Sequence, residues 1–169
     1  MKFALVPRLT KNVGLVALAL SFTISVVQCP AQFTPLTGPS STYSIPQAQL
    51  IQPEALVHLM QTKGADKPLL LQVGSHLLFD ETHIAGSVYA GAGSQPAGLQ
   101  QLQSVVATLS KKKSIILYCG CCPWNRCPNL APAFRQLSDL GFTNVKVLNL
   151  PNNLGTDWVA KGYPVERSH

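Results

Sequence analysis

Four of the chain's five cysteines, Cys119, Cys121, Cys122 and Cys127, fall within the run YCGCCPWNRCPN. A thiolate is a nucleophile, one half of a disulfide couple and a ligand for soft metals, so three chemistries are open to this one loop. Cys119 and Cys122 form a C-x-x-C pair, the spacing of a reversible disulfide with one activated thiol. A permanent structural disulfide is the plainer use of the same spacing. Cys121 and Cys122 are adjacent and can join each other only through a strained ring, whereas a Cys122–Cys127 bond is geometrically easier. Structural zinc usually draws two ligand pairs from separate turns, and here every thiol comes from one loop. Cu(I) at low coordination is the metal such a loop suits best. The expectation is thiol chemistry with no resident metal and no cofactor.

The other candidates are plainer. Trp124 lies inside the loop and is expected to wall a sulfur pocket or to cap the core. His83 reads as a turn histidine bonded to backbone, His58 as a helix residue and His76 as a loop residue, both ordinary. Asp80, Glu81 and Asp157 form no spaced acid pair, and Trp158 reads as core.

The elements that must position the loop are short. Ile115-Ile116-Leu117-Tyr118 is an apolar run that ends at Cys119, within a strand expected over 114–118. Leu130, Phe134 and Leu137 follow at helical spacing, and Gly141 ends that helix. The loop therefore joins a strand end to a helix N-terminus, where the helix dipole and unpaired N–H groups favour a thiolate. Upstream, Pro53 opens a helix with Leu56, Leu59 and Met60 on its inner face, closed by Gly64. Residues 69–73 (LLLQV) suit a buried strand, Val88-Tyr89 a weaker one, and 145–150 (VKVLNL) the last. Leu99, Leu102, Val106 and Leu109 are spaced for another helix. Strands alternating with amphipathic helices imply an α/β fold with a parallel central sheet flanked by helices. Ligand sites in such sheets lie beyond the strands' carboxyl ends, where Cys119 falls.

The 169 residues suffice for one domain and a core that needs no disulfide staples. Lys2, Arg8 and Lys11 precede an uncharged apolar stretch, Val13 to Val27, which reads as a signal peptide over 1–31, cleaved near Ala31. A lipidated Cys29 is the alternative, and either outcome takes Cys29 out of thiol chemistry. Residues 32–43 read as a flexible tether and 44–169 as the domain. The expected location is periplasmic or otherwise in the cell envelope, with membrane contact only through the signal or a lipid on Cys29. Without the three basic residues of the signal, the formal +6 falls to +3. Lys111-Lys112-Lys113 is the one basic run and reads as a solvated loop, so nucleic acid is not an expected partner.

In order and spacing, these motifs resemble the rhodanese family across about residues 44–166. LLLQVGSHLLFDETHIAGSVYAG is similar to that family's first half, IILYCG to the strand ending in its catalytic cysteine, and LGFTNVKVLNL to the segment after its active-site helix. Trp158 and Gly162-Tyr163-Pro164-Val165 are similar to its closing motif. The resemblance implies a sulfurtransferase whose cysteine takes a sulfane sulfur as a persulfide and passes it to an acceptor thiol. Arg126 would then hold a small anionic donor such as thiosulfate. The family's usual loop places an arginine after a cysteine and four further residues, which fits Cys121 with Arg126. Position at the strand end favours Cys119 instead. Gln72-Val73-Gly74 stands where the family often has Asp-Val-Arg, and Pro123 and Pro128 remove N–H donors from the loop. Two other functions remain open. One is a thiol–disulfide module, with Cys122 and Cys127 as resolving thiols and a redox partner protein. The other is a non-enzymatic module binding Cu(I) or a protein. A phosphatase on the same fold fits the loop spacing poorly.

Overall fold

The computed structural model describes residues 44–61 and 67–168. The expected signal, the tether, Cys29 and the helix-closing Gly64 lie outside the described residues.

Five parallel strands form the central sheet: β1 (Leu50–Ile51), β2 (Leu69–Gln72), β4 (Val88–Tyr89), β5 (Ile115–Tyr118) and β6 (Val145–Leu148). Their order is β1-β6-β5-β2-β4. A two-stranded antiparallel ribbon pairs β3 (His83–Ile84) with β7 (Val165–Glu166). Helices α1 (Pro53–Met60), α2 (His76–Glu81), α3 (Pro96–Val106), α4 (Leu130–Asp139) and α5 (Leu154–Asp157) connect the strands.

β5 is buried along its whole length, because helices cover both faces of the sheet. Alternation sends its side chains to two cores. Ile115, Leu117 and Cys119 pack with Leu102 and Val106 of α3 and with Leu130, Ala133, Phe134 and Leu137 of α4. Ile116 and Tyr118 pack on the other face with Leu56 of α1, Leu154 of α5 and Trp158. The continuous apolar run IILY is the signature of a strand covered on both faces.

The structure adjusts several expectations. Leu59 is 38% exposed instead of sharing the inner face of α1. The buried stripe runs from Pro53 through Leu56, with Val57 and Met60 packed beside it, and leaves Leu59 at its edge. Leu109 lies past the end of α3, half-buried against the core. His76 is not in a loop: it opens α2 and pairs with Asp80 at 3.4 Å, one helical turn on. Six residues (HLLFDE) with only Phe79 buried carry too little periodicity for α2 to be read from sequence. Lys111, Lys112 and Lys113 lie in an exposed to half-exposed turn, with the Lys111 ammonium 4.2 Å over the Phe142 ring. Trp158 is fully buried and donates its indole N–H to Pro164 O.

Candidate functional site

The site is built at the carboxyl end of β5. Tyr118, the strand's last residue, is 1% exposed, and its hydroxyl accepts from Ile84 N (3.1 Å) and shares a hydrogen bond with Ser87 Oγ (2.7 Å). Burial pushes this phenol up to about 12, so it stays protonated and fixes the strand end in register. The chain then turns at Gly120, whose φ of +90° is a conformation that side chains rarely adopt. Leu154 N donates to Gly120 O and Trp124 N donates to Leu150 O, which ties the loop to the segment after β6. A single 3-10 turn, Trp124–Arg126, leads through Cys127 and Asn129 into α4.

This path gathers the thiols. All four Sγ atoms lie within 4.8 Å of one another. Cys119 Sγ is 3.2 Å from Cys121 Sγ, which is 3.3 Å from Cys122 Sγ. Cys119 and Cys127 are buried, Cys122 is half-buried and Cys121 is exposed, and all four are free thiols. Asn129 Nδ2 donates to Cys119 Sγ at 3.4 Å, while its Oδ1 accepts from Ser94 N at 3.0 Å. The Ser94 contact fixes which way the amide faces, so its donor is held against the sulfur. His83 is not part of the cluster: its Nδ1 bonds Phe79 O at 2.7 Å and its ring stacks on Phe79.

The proton balance singles out Cys119. Hydrogen bonds from the Cys127 thiol, from the N–H and thiol of Cys121 and from Asn129 outweigh the cost of burial and lower Cys119 from 9.0 to about 5. Burial and then the hydrogen bond to Cys119 push Cys121 up to about 12, whereas the hydrogen bond to Cys119, followed by burial, raises Cys127. The loop thus holds one favoured thiolate with protonated neighbours donating to it.

Gln72 and Gly74 are site residues that the sequence reading registered only as departures. Gln72 Nε2 donates to Cys119 O (3.0 Å), and Gln72 Oε1 accepts from Gly74 N (3.2 Å). A Cβ at position 74 would lie 2.8 Å from Cys119 Sγ, so the residue flanking the sulfur must lack a side chain. Asn129 was missed altogether; the Cys-Pro-Asn sequence before a helix was its one local signal.

A cavity of about 290 Å³ adjoins the strand end, lined by Gln72, Leu78, Cys119, Gly120, Leu154 and Val159 among others. It sits between β2 and β5. From β2 the chain adds β4 on one side, and from β5 it adds β6 on the other, so this is the switch point where open parallel sheets bind ligands. Neither Trp124 nor Arg126 lines this cavity. Trp124 packs instead against the core that contains Cys119 and Cys127, and Arg126 is exposed.

A rhodanese-like domain model matches residues 52–150, more than half of the chain, and the protein belongs to that family. Solved structures agree with the fold. The BH2092 protein from Bacillus halodurans is 24% identical, with a TM-score of 0.53 over 70% of this chain and 76% of its own. The rhodanese-like domain of the Alr3790 protein from Anabaena sp. is 21% identical, with a TM-score of 0.51 over 70% of this chain and 79% of its own. A full-length protein from Lactobacillus plantarum is 18% identical, with a TM-score of 0.53 over 71% of this chain and 88% of its own. No curated protein matches the chain.

Proposed function

We propose that the protein carries sulfane sulfur as a persulfide on Cys119. The observation that carries this reading is the set of donors converging on Cys119 Sγ, namely Asn129 Nδ2 and the Cys121 and Cys127 thiols. In uptake, the Cys119 thiolate attacks the sulfane sulfur of a polysulfide or organic persulfide. A new S–S bond forms on Cys119, the donor's S–S bond breaks, and the remainder leaves as a thiolate. An acceptor thiolate then takes the outer sulfur and returns Cys119 to its thiolate. Cys119 is 2% exposed, with the exposed Cys121 against its sulfur, and it lines the adjoining cavity through which a small donor would approach. Arg126, exposed on the loop and outside the lining of the cavity, would meet an anionic donor as it approaches from solvent. The test is intact-mass analysis of the reduced protein after exposure to inorganic polysulfide. Wild type gains the mass of sulfur and Cys119→Ser does not; equal gain in both would sink the assignment.

A second reading, thiol–disulfide exchange, is favoured by the 3.2 Å separation of Cys119 and Cys121. In it the pair gives two electrons and two protons to an external disulfide, which becomes two thiols. The structure-led pair differs from the resolving thiols Cys122 and Cys127 expected from sequence. Incubation with oxidised glutathione followed by thiol counting separates the readings: loss of two thiols without added sulfur supports exchange.

Export to the periplasm or cell envelope is part of the proposal and rests on residues 1–31. None of the helices among the described residues is long and apolar enough to cross a membrane. Intact mass of the protein recovered from its native compartment tests export. A chain beginning near position 32, or at a lipidated Cys29, is expected; an unprocessed Met1 chain contradicts it.

A further inference from the structure

Sulfur carriage uses one thiolate, yet the fold assembles four sulfurs. We propose that Cys119, Cys121, Cys122 and Cys127 form a binding site for a soft d10 cation, Zn(II) or Cu(I). Four thiolates at about 2.3 Å around zinc stand about 3.8 Å apart in a tetrahedron. The sulfurs here are separated by 3.2 Å and 3.3 Å at the short end, with no pair beyond 4.8 Å. Shifts of about an ångström or less in side-chain position therefore convert this set into a tetrahedral cage.

The one-loop origin that argued against zinc in the sequence is answered by the path of the chain. Cys119 is delivered by the end of β5 and Cys127 by the approach to α4, two separate elements that hold both residues in the core. They act as the fixed pair. Cys121 and Cys122, on the turn between them, are the adjustable pair, and the exposed Cys121 marks the entry path.

Hydrogen bonds to the sulfurs support the same use. Asn129 Nδ2 donates to Cys119 Sγ, the Cys121 N–H points at that sulfur, and the Asn129 and Leu130 N–H groups point at Cys127. Such N–H···S bonds orient thiolate ligands and offset their charge once a metal is held. The donor set contains sulfur only, which selects thiophilic ions over Mg²⁺ or Ca²⁺. Binding displaces the remaining thiol protons to solvent. A metal draws charge from the Cys119 sulfur and encloses it further, so the loaded form takes up sulfur more slowly than the metal-free form.

The experiment uses the full chain, reduced under anaerobic conditions, with all five cysteines counted as free thiols before each titration. Cd(II) serves as the spectroscopic probe for the zinc-like site, and Cu(I) is titrated against a chromophoric competitor. The expected result is a thiolate-to-cadmium charge-transfer band that saturates at one equivalent, together with proton release. Cu(I) should displace the cadmium, and cadmium should in turn displace Zn(II) from the all-sulfur site. Cys121→Ser and Cys122→Ser, checked for folding by circular dichroism, each weaken binding by at least about tenfold, since loss of even an outer partner costs that much. Cys29→Ser leaves binding unchanged. Absence of the band at one equivalent with every thiol free overturns the proposal. Undiminished affinity in the Cys121→Ser and Cys122→Ser variants also overturns it. Sulfur uptake is measured on the metal-free protein, so its failure is a separate result.

Discussion

Cys119 differs from its three neighbours in what points at it. The Cys121 and Cys127 thiols donate to it, while Asn129 adds a neutral N–H held in place by Ser94. With its pKa lowered to about 5, Cys119 is about 90% ionised at pH 6, where an ordinary thiol is on the order of 0.3% ionised. Sulfur uptake should therefore stay level from pH 8 to pH 6 and fall only as pH drops through about 5. An uptake rate that climbs tenfold per unit up to pH 8 would show an ordinary thiol. Asn129→Ala removes one donor to the thiolate and should raise the midpoint of this profile by about one pH unit, as expected for a bond to a charged group. Gly74→Ala places a methyl within 2.8 Å of the sulfur and should cut uptake while costing about 1–3 kcal/mol in a denaturant titration. At this scale the sequence was partly legible. The thiols and their loop stood out, with strand-end position favouring Cys119 as nucleophile and the rhodanese family's spacing to Arg126 favouring Cys121. Gln72 and Gly74 could not be found from spacing, because they reach Cys119 only through long-range folding, Gln72 being 47 residues away in the chain, and Asn129, ten residues on, depends on the path of the loop.

The elements that aim the loop were legible where burial is two-sided or strongly periodic. β5 and α4 fall within about a residue of the expected spans, since an all-buried run and a regular apolar stripe are unambiguous. α2, the β3–β7 ribbon and α5 were not, being two to six residues long and held by tertiary contacts. Those short pieces matter, because α2 and α5 supply Leu78 and Leu154 to the cavity beside the strand end. Leu117 is fully buried near the centre of β5 and packs the strand into the core. Leu117→Ala should lower stability by about 2–5 kcal/mol through lost burial and a residual cavity. Gly120→Ala should cost about 1–2 kcal/mol, because the new side chain meets both a φ of +90° and Leu154 at 3.3 Å. Chemical denaturation of both variants measures these losses, and an unchanged midpoint for Gly120→Ala would contradict the turn geometry.

For the molecule as a whole, the parallel sheet with its switch between β2 and β5 puts the thiol cluster and the adjoining cavity at one end of the domain. That arrangement was foreseeable from the alternation of strands and helices, and the rhodanese-like family places the chain on the same architecture. The departures from the family's motifs now have physical content. A side chain at position 74 would collide with Cys119 Sγ, and the polar contact at the end of β2 is made by a neutral amide, Gln72, instead of an acid. Such a site favours a thiolate held by neutral donors and by neighbouring thiols. The most direct test of this account is site-resolved mass spectrometry of the reduced, metal-free protein after brief exposure to polysulfide at pH 6. The added sulfur is predicted on the peptide position of Cys119. Its appearance first on Cys121, or on none of the four, would contradict the account.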